Sequence, residues 1–166
     1  NYQRLFYSQK HKIKIQMYQF LATVIPSIVL VYFFVSLDRF PEPKKIIIIT
    51  FILGILITIP AGLANVYLMQ IIYENFYYSN YYNEIDTFFV GPFVEEILKF
   101  SIILLYCSRL DDFDEPMDGL VYGATAALGF AMAENFDYVY SAEEFGTTWQ
   151  DIAWIRAFLT APMHAS

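Results

Sequence analysis

Charged residues are scarce in this chain. Asp, Glu, Lys and Arg together make up 16% of its 166 residues, whereas soluble domains carry roughly a quarter. Cysteine is nearly absent, and because Cys107 stands alone, an intrachain disulfide and a CxxC metal site are excluded. The 10 Lys and Arg residues, outnumbered by 17 Asp and Glu, form no basic stripe that could follow a phosphate backbone. We therefore expect no nucleic-acid partner.

Long apolar stretches make up much of the chain. Hydrophobic residues make up 57% of the chain. Residues 20–37 and 46–72 carry no formal charge, and each stretch is long enough to cross a hydrocarbon core of roughly 30 Å. These two stretches predict membrane-spanning helices, so the lipid bilayer is the first expected partner.

Three further apolar segments contain ionisable residues. They are residues 88–106, residues 117–140 and a segment that begins near Ile152. The last segment is shorter than the roughly 20 residues that a spanning helix needs. We therefore predict an all-α, polytopic transmembrane helix bundle with about five spans, the last one incomplete, and expect the natural chain to continue beyond Ser166.

The rest of the chain is predicted to form short polar or interfacial segments. Residues 1–19 carry a basic juxtamembrane segment, and residues 20–166 form the transmembrane core. Residues 38–45, which read DRFPEPKK, predict a polar loop between the first two spans. The tyrosine-rich residues 73–87 are typical of a loop at the headgroup level. Gly119, Gly123 and Ala127 recur every four residues, a spacing that predicts close packing against another helix.

The charged residues within the spans must face one another or water. Even on lenient scales a charge at mid-bilayer costs about 2.5 to 3.5 kcal/mol. Glu95 and Lys99 lie one turn apart, and Glu96 and Lys99 lie three residues apart, so the lysine can neutralise either carboxylate. The other carboxylate is then available for chemistry.

Helix lengths place these residues at one depth. If the third span runs away from the loop at 73–87 and the fourth returns to it, Glu95 and Glu134 both lie about 10 Å below the same surface. On the fifth helix, Arg156, Thr160 and His164 repeat every four residues and form a polar stripe. His164 is expected at the level of Lys99, so three helices converge on one buried polar site.

Such a site has the parts needed for peptide hydrolysis without a covalent nucleophile. A desolvated carboxylate can act as a general base toward water. Lys99, His164 and Asn135 can stabilise a developing oxyanion. Ser101 and Cys107 have no catalytic motif around them, and no aspartate pair lies at this level.

Ordered motifs along the chain resemble the PrsW family of intramembrane proteases, which is similar to the CAAX prenyl protease and bacteriocin-processing superfamily. The motifs are DRFPEP at 38–43, EEILK at 95–99, DGLVYG at 118–123, GFAMAEN at 129–135, and the later Arg156 and His164. The resemblance implies an endopeptidase that cleaves a membrane-anchored protein, such as an anti-sigma factor, near the membrane surface. It also implies that the site opens to the extracytoplasmic side of a bacterial-type cytoplasmic membrane.

The resemblance also implies residue roles. Glu95 is the base, Glu96 pairs with Lys99, and Glu134 with Asn135 and then His164 complete the catalytic set. Arg156 is expected to support a buried carboxylate electrostatically. Asp118 is expected to cap or anchor the start of the fourth span.

A metal is not required by this interpretation. The family has been classed with metalloproteases, yet His164 is the one histidine within the predicted spans, whereas zinc sites usually draw on more His or Cys ligands. We therefore expect glutamate alone to activate water. The alternative is a zinc ion held by Glu95, Glu134 and His164.

Two other functions stay open at this point. A proton- or ion-coupled transporter is the first, because membrane carboxylates and histidines often mark ion pathways. A transporter built from repeats would show two similar halves, and the sequence contains no such repeat. A noncatalytic membrane scaffold of the same fold is the second.

Overall fold

The fold consists of helices joined by short connections. The computed structural model describes residues 2–40, 42–76, 91–144 and 146–165. The helices are α1 (Tyr2–Leu37), α2 (Lys44–Leu56), α3 (Thr58–Phe76), α4 (Gly91–Leu105), α5 (Pro116–Tyr140), α6 (Trp149–Ile155) and α7 (Ala161–His164). A 3₁₀ turn, Cys107–Arg109, follows α4, and a π-helical turn, Arg156–Thr160, joins α6 to α7. No strand occurs in these ranges, so the predicted all-α class is confirmed.

Two helical stretches are long and apolar enough to cross a membrane. They are Gln9–Leu37 within α1, and Lys44–Asn75, which comprises most of α2 and α3. The first is part of a helix that continues across the boundary predicted between residues 19 and 20. The second is interrupted at Ile57. Pro60 explains the interruption, because proline has no N–H to donate to the carbonyl four residues earlier.

Most apolar side chains on these two stretches do not pack against protein. Only 11% of the most apolar window in the first stretch is buried, and 28% in the second. Large side chains such as Tyr32, Leu63 and Val66 are well exposed. Contiguous apolar surface of this kind marks a membrane or protein contact, and the length and composition of the two stretches fit a membrane span.

Helix α5 is the centre of the fold, and it packs against α1, α2 and α4. Two glycines allow its closest approach to α2. A Cβ atom on Gly54 would lie 2.1 Å from the carbonyl oxygen of Ala126, and one on Gly129 would lie 2.2 Å from that of Phe51. The two backbones therefore touch, and this contact fixes the part of α5 that precedes Glu134.

The close helix packing predicted at Gly119 and Gly123 is wrong for the described part of the chain, and for Ala127 it stays a prediction. A Cβ atom on Gly123 would meet nothing within 4 Å, and one on Gly119 would meet only the Phe113 ring. These residues instead line an open cavity. Helices α2 and α5 approach closely on the neighbouring face of α5, because Gly54 of α2 lies there.

The predicted loop at 73–87 is described only at its start. Residues 73–76 belong to the last turn of α3. Residues 77–87 lie outside the described residues, so the headgroup-level placement of this loop stays a prediction.

Candidate active site

Helix α4 brings three charged side chains to its inner edge. Lys99 is buried, and its Nζ lies 2.8 Å from Oε1 of Glu96 and 3.8 Å from Oε2 of Glu95. The Glu95 side chain is 18% exposed, but that of Glu96 is 68% exposed. The expected burial of both acids is therefore wrong for Glu96. Consecutive helical residues differ by about 100° in direction, so only Glu95 faces the neighbouring helices.

Helix α5 contributes Glu134 and Asn135. Oε2 of Glu134 lies 3.0 Å from Nη2 of Arg156 and 3.0 Å from Nε2 of His164. Asn135 is almost fully buried, and its Oδ1 accepts a hydrogen bond from Nε of Arg156. Arg156 therefore bridges the two consecutive residues of α5, and its guanidinium also lies over the Tyr138 ring, 4.0 Å from the centroid.

The last helical segment supplies both Arg156 and His164. Its first turn is capped by Thr148, whose Oγ1 accepts from the Asp151 N–H. The π-helical turn at Arg156–Thr160 then inserts an extra residue into the helical repeat. Turns of this type often occur at functional sites. Here both Arg156 and His164 reach the same carboxylate oxygen of Glu134, while Thr160 is half-buried and has no hydrogen bond to this group among the described residues.

His164 joins the two halves of the site. Its Nδ1 lies 2.9 Å from Nζ of Lys99, and its Nε2 contacts Glu134. A protonated lysine can only donate hydrogen bonds, so Nδ1 accepts and Nε2 carries the ring proton that Glu134 accepts. The Phe130 ring covers one side of this contact, with its centroid 4.5 Å from Lys99 Nζ. One polar network thus runs from Glu96 through Lys99, His164, Glu134 and Arg156 to Asn135.

Glu95, Glu134 and His164 are the candidate ligands for a zinc ion. Glu95, Glu134 and His164 each place a ligand atom within 4.8 Å of the others, and three such ligands with one open position are typical of catalytic zinc. The donors fit in type and spacing. The hydrogen bonding of His164 does not fit, because a metal-bound Nε2 would leave the ring proton on Nδ1, against the Lys99 ammonium. We therefore derive no catalytic step through a metal.

A cavity of about 400 Å³ opens beside the network. Glu96, Lys99 and His164 line one part of it, and the small residues Gly119 and Gly123 line another. The absence of side chains on these glycines leaves room next to the charged groups. The cavity is large enough for a short stretch of extended polypeptide.

Most of this chain matches one known protein family. A sequence model of the PrsW family, described as intramembrane metalloproteases, matches residues 42–166. The chain belongs to the PrsW family. The matched range contains every residue of the network described above, and the resemblance read from the sequence motifs is confirmed.

Curated PrsW relatives extend the same comparison. The chain is 29% identical over 144 residues to "Protease PrsW" of Oceanobacillus iheyensis and 31% identical over 147 residues to that of Bacillus subtilis. Each alignment covers 87% of this chain and 61% of the relative. The chain therefore spans about three-fifths of the length of the PrsW proteins it matches. No solved structure matches it.

Asp118 lies away from this site, about 24 Å along α5 from Glu134 at 1.5 Å per residue. Its Oδ2 accepts hydrogen bonds from the backbone N–H groups of Asp114 and Glu115, 2.8 and 2.7 Å away. It thus anchors the turn that starts α5. Asp38 and Glu42 lie beside it, which was not expected from the sequence. The one available signal was the pair of acids in the DRFPEP loop.

Proposed function

We propose that this chain forms the catalytic core of an intramembrane endopeptidase. Its substrate is a single-span or membrane-tethered protein of the anti-sigma-factor kind, cleaved near the membrane surface. The observation that carries this proposal is the meeting of Glu95, Lys99 and Glu134 with His164, from three helices, beside a cavity that Lys99 and His164 line. Membership of a family described as proteases supports it.

Glu95 is the general base in this mechanism. Its carboxylate faces the site and is held only loosely by Lys99, at 3.8 Å, whereas Glu96 binds the lysine at 2.8 Å. Glu95 takes a proton from water, and the hydroxide oxygen attacks the carbonyl carbon of the scissile peptide. When the C–N bond breaks, Glu95 returns that proton to the leaving amine. The products are a carboxyl terminus and an amino terminus.

Lys99 is the group best placed to stabilise the oxyanion. Its ammonium has three N–H donors, of which one is used by Glu96 and one by His164. The third is available to the substrate oxygen in the cavity that Lys99 lines. A buried, preorganised cation is worth more at this point than in water.

The remaining residues hold these two in position. Glu134 accepts from His164 and Arg156, and Asn135 fixes the guanidinium from its far side. His164 in turn fixes Lys99. We assign Glu134, Asn135 and Arg156 as positioning residues, since their contacts are to other side chains of the site.

The proposed topology is a polytopic bundle in which α1, α2 with α3, α4, α5, and α6 with α7 occupy the membrane. The site opens to the extracytoplasmic side. Arg39, the first two residues of α2 (Lys44 and Lys45) and Arg109 lie at the opposite end of the helices, which the positive-inside rule places in the cytoplasm. The Lys and Arg residues before Gln16 lie on the side assigned to the exterior and are as numerous as those assigned to the cytoplasm. The orientation is therefore tested by a separate experiment.

Reconstituted protein tests the proposal. The full-length protein is placed in liposomes with a single-span reporter, and cleavage products are identified by mass spectrometry. We expect cleavage with the natural chain and with Glu144→Gln, which alters an exposed loop acid, and at least a 100-fold lower rate with Glu95→Gln.

The same liposomes separate this proposal from transport. A pH-sensitive dye in the lumen reports proton uptake. Absence of cleavage for every reporter, together with proton uptake that Glu95→Gln abolishes, would replace the protease with a transporter. Equal cleavage by natural and Glu95→Gln protein would remove Glu95 from the role of base.

A further inference from the structure

A second cluster of buried acids lies at the other end of α5 from the candidate active site. Asp38 and Glu42 come from the connection between α1 and α2, and Asp118 comes from the first turn of α5. Each of the three residues is more than nine-tenths buried. Each places a carboxylate oxygen within 4.8 Å of the other two. Three acids so close together and so deeply buried require compensation by positive charge or protons.

One carboxylate oxygen in this cluster has no partner. Oδ1 of Asp38 accepts a hydrogen bond from the Phe40 N–H at 3.0 Å, but its buried Oδ2 has no hydrogen-bond partner among the described residues. A buried acceptor left unsatisfied costs about 1 to 3 kcal/mol, and more if it is charged. Oδ2 of Asp38 is therefore available to a ligand from outside the described residues.

Basic side chains do not compensate the cluster. In the described part of the chain, neither Lys nor Arg forms an ion pair with any of the three acids, and Arg39, Lys44 and Lys45 are exposed. The Tyr122 hydroxyl donates to Oε2 of Glu42, which orders the carboxylate without neutralising it. Burial is the largest cause that raises the pKa of the Glu42 carboxyl to about 7; the hydrogen bond from Tyr122 lowers this pKa, and the hydrogen bond and charge of Asp118 and the charge of Asp38 raise it.

We propose that Asp38, Glu42 and Asp118 bind a hard divalent cation that ties the α1–α2 connection to the start of α5. Three carboxylates without nitrogen or sulfur ligands are the donor set of Ca²⁺ or Mg²⁺ rather than zinc. Oxygens spread over as much as 4.8 Å suit the longer bonds and looser geometry of Ca²⁺. The site is structural and is independent of the proposed proteolysis.

Cation binding can be measured directly on the purified full-length protein in detergent. After treatment with EDTA, Tb³⁺ is added as a Ca²⁺ surrogate, and its emission is excited through tyrosine, since Tyr122 lies against Glu42. We expect saturable emission that Ca²⁺ displaces. At about 100 times its Kd, Ca²⁺ should raise the Tm by roughly 5 °C. A parallel titration with Mg²⁺ identifies which of the two ions binds more tightly.

Two variants make the test specific. Asp38→Asn removes the unpartnered carboxylate, and we expect at least a tenfold weaker Kd and a smaller Tm shift. Asp111→Asn removes an exposed acid from the same side of the protein and should bind as the natural chain does. If Asp38→Asn does not fold, Glu42→Gln replaces it, because its amide oxygen can still accept from Tyr122.

Other results would overturn the proposal. One is a Tm of the natural chain that is the same in EDTA, Ca²⁺ and Mg²⁺. Another is a cation Kd in Asp38→Asn or in Glu42→Gln that equals the Kd of the natural chain. A Glu42→Gln protein that is more stable than the natural chain at every cation concentration would show that protons, and not a metal ion, compensate the cluster.

Discussion

Nδ1 of His164 lies 2.9 Å from Nζ of Lys99, although 65 positions separate the two residues in the chain. This contact connects the acids of α4 to the Glu134 carboxylate of α5. Without it, the two halves of the polar network would be separate ion pairs. The contact also assigns the imidazole proton to Nε2, because lysine is a donor only.

The first prediction concerns Lys99. Replacement by Met removes the ammonium that we assign to the oxyanion, and we expect kcat for reporter cleavage to fall about 100-fold with a smaller change in KM. Lys45→Met, at an exposed lysine in the first turn of α2, is the matched control. An unchanged kcat in Lys99→Met would exclude this role.

The second prediction concerns the Arg156–Glu134 pair. Both side chains are mostly buried, at 11% and 22% exposed, so Arg156→Met should lower the free energy of unfolding by about 3 kcal/mol by leaving Glu134 with one partner. Adding Glu134→Gln should recover part of that loss, since the uncompensated charge is then removed. Denaturant unfolding in detergent measures both, with exposed Arg109→Met as control. Strictly additive losses would mean that the pair is not coupled.

Much of the site could be predicted from the sequence because charged residues are so costly in apolar helices. Helical spacing paired Lys99 with its acids, and residue counting put Glu95 and Glu134 at one depth, where the structure brings them together. The lengths of the apolar stretches predicted the helical segments, but the first helix begins before residue 20 and the second stretch is interrupted at Ile57. The contact between Lys99 and His164 could be predicted from their common depth alone, because buried polar groups at one depth have few other partners.

Other features depend on tertiary packing and had no sequence signal. Glu95 is shielded and Glu96 is exposed because only one side of α4 faces α5. The face of α5 that packs closely was predicted at Gly119 and Gly123, but it depends on where Gly54 of α2 lies. The π-helical turn at Arg156–Thr160 has the same residue pattern as a regular helix.

The third prediction concerns metal. Because the Lys99 ammonium faces Nδ1 of His164, we expect activity to survive dialysis against a strong chelator. Metal analysis of the dialysed sample by mass spectrometry provides the control for complete removal. Loss of activity that zinc alone restores would make Glu95, Glu134 and His164 zinc ligands.

The fourth prediction compares two glycines on one helix. Gly129→Ala places a methyl group against the Phe51 carbonyl, so we expect it to destabilise the fold by about 2 kcal/mol. Gly123→Ala meets open space and should stabilise α5 by up to about 1 kcal/mol through the higher helix propensity of alanine. Unfolding midpoints of the two variants should therefore move in opposite directions. Equal shifts would contradict the close approach of α2 and α5.

The fifth prediction concerns orientation. In a Cys107→Ala background, single cysteines at Lys44 and Glu144, both exposed, are treated in intact cells with an impermeant thiol reagent. We expect labelling at position 144 in intact cells, and at position 44 only after the cells are permeabilised. The reverse pattern would turn the active site toward the cytoplasm.

The close contact of Gly54 with Ala126 also constrains biosynthesis. Helix α2 leaves the ribosome long before α5, so in the proposed membrane topology Gly54 first meets lipid or the insertion machinery instead of its final partner. In that topology, the interior of the protein can close only after α5 has been inserted beside α2. A ribosome-stalling series should therefore detect tertiary protection of α2 only in chains that extend through α5.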